Sequence, residues 1–169
     1  MARDFLLNFG TASRSGTTTT LPTMVDIGPN GNNSRSDLYV RIVVLLSAAT
    51  GTGTVQYSAQ LEASKEATAT ISSGTWTQVV ATPSDVTANR ATVASNVVTD
   101  GAVVMFIPLY APAGTLSTAN YTVNSVTSAY AEDNYTKFRV KVTEALGAIT
   151  SPTATYSASI VSGRDGSLS

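Results

Sequence analysis

Residues 38–46 read Leu38-Tyr39-Val40-Arg41-Ile42-Val43-Val44-Leu45-Leu46. Successive side chains of a β-strand point to opposite faces, so Leu38, Val40, Ile42, Val44 and Leu46 share one face. The other face, with Tyr39, Arg41, Val43 and Leu45, is also mostly apolar, which predicts a strand buried on both sides. Beyond it, Val55, Tyr57, Ala59 and Leu61 alternate with Gln56, Ser58, Gln60 and Glu62, a strand with one dry face and one wet face. Thr50-Gly51-Thr52-Gly53 lies between the two and reads as a hairpin-like turn.

The same period of two predicts further strands over 71–80 around Trp76, and over 103–110, 120–127, 135–144 and 154–161. Pro83, Asp100-Gly101, Pro112-Ala113-Gly114, Gly147 and Pro152 punctuate them. Helical periodicity is nearly absent; its best candidate is a turn or two over Val86 to Arg90, capped by Ser84-Asp85. Many short strands with little helix predict an all-β chain, a two-sheet β-sandwich of jelly-roll type with long polar loops. The consistent apolar phase places Leu38, Val40, Ile42, Val44, Phe138, Val140, Val142, Tyr156 and Ile160 in the core.

A chain of 169 residues fits one domain and buries about 70% of the surface it exposes when unfolded. No repeat of fixed period and no shift in composition marks a second one. Residues 1–20 are expected to form an extended N-terminal arm and 21–169 a single sandwich domain. Thr17 to Thr20, β-branched throughout, reads as an edge strand or part of the arm. Within the arm, Phe5, Leu7 and Phe9 alternate with Asp4, Leu6 and Asn8. Those three apolar side chains either begin the sandwich as its first strand or dock on another chain.

Composition narrows the chemistry. The chain has no histidine and no cysteine, which removes imidazole bases, thiolate nucleophiles, Cys/His zinc sites and Ser-His-Asp triads. Carboxylates, Lys, Tyr and Ser are what remain for an enzyme. A formal net charge of -1 argues against a protein that coats nucleic acid. Only 12% of residues are charged, so the surface is largely Ser, Thr, Asn and Gln. The first residues show no apolar run of the length a signal peptide or membrane span needs, so no passage through a membrane is expected. The Asn-x-Ser/Thr matches at Asn32, Asn120 and Asn134 then read as by-products of composition. The lack of cysteine agrees with an intracellular origin.

Four features invite a functional reading. In Lys137-Phe138-Arg139-Val140-Lys141-Val142 a cation occupies every second position, so Lys137, Arg139 and Lys141 line one face roughly 7 Å apart. This comb is either the wet face of a strand or a contact for an acidic partner or a phosphate. If exposed, its replacement by Gln should alter stability by no more than about half a kcal/mol. The loop from Asp26 to Asp37 has the composition of a calcium loop but lacks the ordered spacing and closing Glu, and Asn30-Gly31 reads better as a tight turn. Glu132-Asp133 on a strand would point to opposite faces, a poor geometry for two acids acting on one substrate. Trp76 would stack on a sugar if exposed, although a lone Trp in a strand pattern belongs more often to the core.

Several of these stretches together resemble the jelly-roll cement, or decoration, proteins of tailed-bacteriophage capsids. The front half carries the likeness in a Thr-rich arm, Met24-Val25-Asp26-Ile27-Gly28, a polar Gly/Asn/Arg loop, and Asp37-Leu38-Tyr39-Val40-Arg41-Ile42-Val43-Val44. The back half carries it in Phe106-Ile107-Pro108-Leu109, in Tyr135 to Val142, and in Ala154-Thr155-Tyr156-Ser157-Ala158-Ser159-Ile160. The Thr/Ala/Ser-rich stretches 64–102 and 111–134 depart from the pattern. The resemblance implies a homo-oligomer, dimer or trimer, on the outer face of a virion after synthesis in the host cytoplasm. It would clamp neighbouring major capsid proteins, with no enzyme activity, no cofactor or metal, and no nucleic-acid or membrane partner. Phe5, Leu7, Phe9, Lys137, Arg139 and Lys141 are the partner-binding candidates. The competing expectation is a carbohydrate- or receptor-binding jelly roll from a phage tail or surface structure.

Overall fold

The computed structural model describes residues 7–26, 38–82, 87–109, 122–123 and 135–162. They form twelve strands: β1 (Asn8–Ser13), β2 (Thr18–Thr20), β3 (Val25–Asp26), β4 (Leu38–Thr50), β5 (Gly53–Ser64), β6 (Thr77–Ala81), β7 (Arg90–Ala94), β8 (Val97–Asp100), β9 (Ala102–Pro108), β10 (Thr122–Val123), β11 (Lys137–Ala145) and β12 (Thr150–Ser162). A four-stranded antiparallel sheet in the order β1-β12-β4-β9 packs against an eight-stranded one. The path of the larger sheet is β10-β6-β5-β11-β2, with β3 also on β11, β7 on β5, and β8 on β7. The chain is a β-sandwich.

The interior is built by the alternation that the sequence shows. Val40, Ile42 and Val44 from β4 and Phe138 and Val140 from β11 are wholly buried, with Val142 and Tyr156 nearly so. Leu38 and Ile160 are only partly buried and pack on the rim of the same core. Each buried aliphatic or aromatic side chain contributes about 1.5 to 3 kcal/mol. A one-residue slip would turn this set out to solvent, so the apolar phase fixes the register.

The connection at Thr50 to Gly53 is not a hairpin. β4 belongs to the smaller sheet and β5 to the larger, so the chain crosses the sandwich there. A Gly-rich turn reverses direction in either case; the longer pairings of β4 with β12 and of β5 with β11 decide which sheet each strand joins. A second crossover over 146–149 links β11 to β12 at the same end. Gly51 lies against it with φ of 115°, and a Cβ there would meet the Ala148 carbonyl oxygen at 2.8 Å.

Other expectations shift at their edges. The strand expected over 71–80 begins only at Thr77, because Thr70 and Ser73 close a tight turn and Gly74 takes a positive φ. Ser95 and Asn96, both at positive φ, join β7 to β8 in a hairpin that has none of the usual Asn-Gly signal. The helical turn expected after Ser84 is a short 3-10 turn at Thr87–Asn89, and residues 83–86 lie outside the described ones. Residues 8–20, read as most of an extended arm, supply β1 to one sheet and β2 to the other. Among the described residues no helix is long and apolar enough to cross a membrane.

Candidate functional site

The cation comb is on the outer face of the larger sheet, in the phase opposite to Phe138 and Val140, but that face is not bare. Residues 65–76 lie across it as a strap. Lys137 is 7% exposed, and its Nζ donates to the carbonyl oxygens of Ala67 and, at 3.0 Å, Ala69. Arg139 donates from Nε to Glu62 Oε2 at 2.6 Å and from Nη1 to the Ile71 carbonyl at 2.6 Å. Its guanidinium also lies over the Trp76 ring, 4.5 Å from the centroid. Lys141 donates to the other Glu62 oxygen at 2.8 Å.

Glu62 is placed by register, since Arg139 is directly opposite it and Lys141 one pleat away across β5 and β11. The strap is held by its own bonds. Trp76 Nε1 donates to the carbonyls of Thr70 and Ser73, at 3.2 and 3.0 Å, and the Thr75 amide donates to Glu66 at 3.0 Å. Hydrogen bonds from the Thr75 side chain and from its amide hold the Glu66 carboxyl below its ordinary pKa. The three cations therefore serve the fold first. Trp76, half-buried with one face under Arg139 and its N–H in use, offers a sugar little platform.

The interior holds a polar cluster that the reading of the sequence missed. Glu144 continues the phase Phe138, Val140, Val142 and so points between the sheets, where its side chain is 1% exposed. Arg14, just past β1, pairs with Oε1, and the Tyr156 hydroxyl donates to Oε2 at 3.0 Å. Tyr57, opposite Glu144 on β5, packs edge-on against Tyr156 with centroids 6.2 Å apart. Strict alternation through Glu144 was the signal available: an acid in an apolar phase needs a partner inside.

Burial first, and the Glu144 charge second, push both phenols above their ordinary pKa of 10.0. A raised folded-state value means that the fold favours the neutral phenol over the phenolate. The stability linked to this preference is fully present below pH about 10 and is lost as pH rises from there through the folded values. Melting temperature should thus hold level up to pH 9 and fall above 10, in step with tyrosine ionisation at 295 nm. A fall beginning below pH 9 would assign the loss to other groups.

The two rings also differ. The buried Tyr57 hydroxyl has no hydrogen-bond partner among the described residues, whereas that of Tyr156 bonds a carboxylate. Tyr57→Phe is expected to be neutral or to stabilise by about 1 kcal/mol, and Tyr156→Phe to destabilise by about 2 kcal/mol. Urea unfolding of the two variants checks this, and equal losses would refute the assignment.

Of the arm residues, Phe9 is wholly buried in the chain's own core, Leu7 packs at its edge, and Phe5 lies outside the described residues. Asp26 ends β3 beside Lys137 in register, while 27–37, Glu132-Asp133, Asn120 and Asn134 also lie outside the described residues. Among the described residues no group of three Asp, Glu, His or Cys side chains is placed to hold a metal ion. The chain matches no protein-family model, no curated protein and no solved structure.

Proposed function

We propose that the chain is a structural viral protein that binds the outer surface of a bacteriophage capsid and cements neighbouring major capsid proteins, stabilising the expanded head. One observation carries the reading: the segments that resemble cement proteins fall on the framework. Residues 38–44 lie in β4, 106–108 end β9, 137–142 lie in β11 and 154–160 lie in β12. β4, β9 and β12 are neighbours in one sheet, and β11 is central in the other. The chain passes repeatedly from sheet to sheet, among the described connections from β1 to β2, β4 to β5, β8 to β9 and β11 to β12, which supports a jelly-roll form of the sandwich.

A cement role asks for a rigid body with several modest contacts, and linked contacts act together at high effective concentration. It asks for no catalytic group. The protein acts as a homo-oligomer, made in the host cytoplasm and carried on the virion surface. Co-sedimentation of the purified chain with expanded heads, with its copy number and the heads' melting temperature, tests the proposal. Saturable binding that raises head melting is expected; a chain that stays in the supernatant overturns it.

A further inference from the structure

β4 has the apolar pattern of a strand covered on two sides, yet the described residues cover only one. On the open side Tyr39, Arg41 and Val43 are half-buried and Leu45 is 51% exposed. Beside them β9 places Val104, 40% exposed, opposite Val43, and half-buried Phe106 opposite Arg41. On the other flank β12 offers Thr155, Ser157 and Ser159, with half-buried Val161 opposite Tyr39. The result is a contiguous apolar face at the β4 and β9 end of the smaller sheet, the kind of surface that marks an interaction site.

Charge decides what this face takes. Arg41 is the one charged residue in all four strands of the sheet. It stands between Phe106 and Ser159 in register and has no hydrogen-bond or ion-pair partner among the described residues. The charges of the larger sheet's comb, by contrast, are bonded to Glu62 and to the strap. Docking two copies of the open face on each other would bring a second Arg41 and no carboxylate, so a second copy is a poor occupant. A guanidinium amid apolar side chains is matched by a planar carboxylate that can take two of its N–H groups, itself set in apolar surroundings.

We propose that this face, centred on Arg41 and walled by Val43, Leu45, Val104 and Phe106, is the surface that docks the capsid, against a patch in which apolar side chains surround an Asp or Glu. The identity of the partner rests on the cement reading; the chemistry of the face does not. Arg and aromatic side chains at the centre of an interface commonly carry most of its binding energy, and Arg41 with Phe106 holds that position.

Two measurements on the full chain test this. Wild type, Arg41→Glu, Leu45→Asn and Val104→Thr are compared for binding to expanded heads, with Lys141→Gln as a control from the opposite sheet. Each of the three is an exposed or half-exposed position, and melting curves confirm that the variants fold. The open-face variants should weaken head binding about tenfold or more, and Lys141→Gln should not. If wild type decorates heads and the open-face variants do so equally well, the docking face is wrong while the cement reading stands.

If wild type does not decorate heads, the cement reading falls and a chemical probe decides the face. NMR titration with octanoate below its micelle concentration should shift amides at 39–45 and 102–106. Octylammonium should do so only at higher concentration, and Arg41→Gln should weaken the octanoate response about fivefold. Shifts spread over the molecule, or indifference to Arg41, overturn the proposal.

Discussion

Replacing Lys137, Arg139 and Lys141 together by Gln is expected to destabilise the folded chain by about 4 kcal/mol. The alternating pattern alone leads to the opposite expectation, a tolerated change on a wet face. The difference lies in what covers that face. Lys137 is buried, and Gln in its place reaches less far, leaving the Ala67 and Ala69 carbonyls without their charged donor. Bonds of this kind contribute about 1.5 to 3 kcal/mol each. Arg139 joins Glu62, the Ile71 carbonyl and the Trp76 ring, so its loss loosens the strap as well as the pair. Lys141, whose side chain is 26% exposed, adds little by itself because solvent screens its pair with Glu62.

The effects should not add. While either Arg139 or Lys141 remains, Glu62 keeps a counter-charge, but with both gone a largely buried carboxylate is stranded. The double variant should therefore cost more than the sum of the singles by about 1 kcal/mol or more. Urea midpoints of the singles, the double and the triple measure both quantities. A triple variant within 1 kcal/mol of wild type would show that the strap does not depend on the comb. The result also governs any use of the comb in binding studies, since a variant with a loosened strap can lose affinity without losing a contact.

Local pattern made some of the molecule legible and not the rest. The register of β4 and β11 follows from alternation, because only one phase of each is continuously apolar and Val40, Ile42, Phe138 and Val140 are accordingly buried. Alternation tells which side chains share a face, and not what lies over that face. The outer face of β11 reads as wet and is roofed by residues 65–76, a segment held by a turn, a Trp and backbone carbonyls, with no periodicity to announce it. The outer face of β4 reads as dry, and the described residues leave it open. Thr50 to Gly53 shows the same limit, for Gly-rich turns serve hairpins and crossovers alike, and the choice is made by strands distant in sequence. Glu144 was legible in principle, standing in the apolar phase of its own strand, but its partners Arg14 and Tyr156 come from the facing sheet, 130 and 12 residues away.

Phe9→Ala should lower the stability of the isolated chain by about 3 to 5 kcal/mol, the cost of removing a fully buried ring and leaving its space unfilled. In sequence the alternation Phe5, Leu7, Phe9 fits equally well an arm that docks elsewhere and a first strand. The pairing of β1 with β12 separates these readings at Phe9, because the strand lies on the chain's own smaller sheet and the ring enters the common core. Gly10 makes the placement possible. The register shifts between Asn8 and Gly10, the glycine takes φ of 83°, and a Cβ there would meet the Pro22 ring at 2.8 Å. The bulge turns Phe9 inward while the Asn8 side chain accepts the Gly10 amide at 2.8 Å. Were Phe9 a docking residue, its truncation would spare the unfolding of the dilute chain and weaken only assembly. Chemical unfolding of the variant at a concentration where light scattering reports a monomer distinguishes the two, and a loss below about 1 kcal/mol there would return Phe9 to the list of partner contacts.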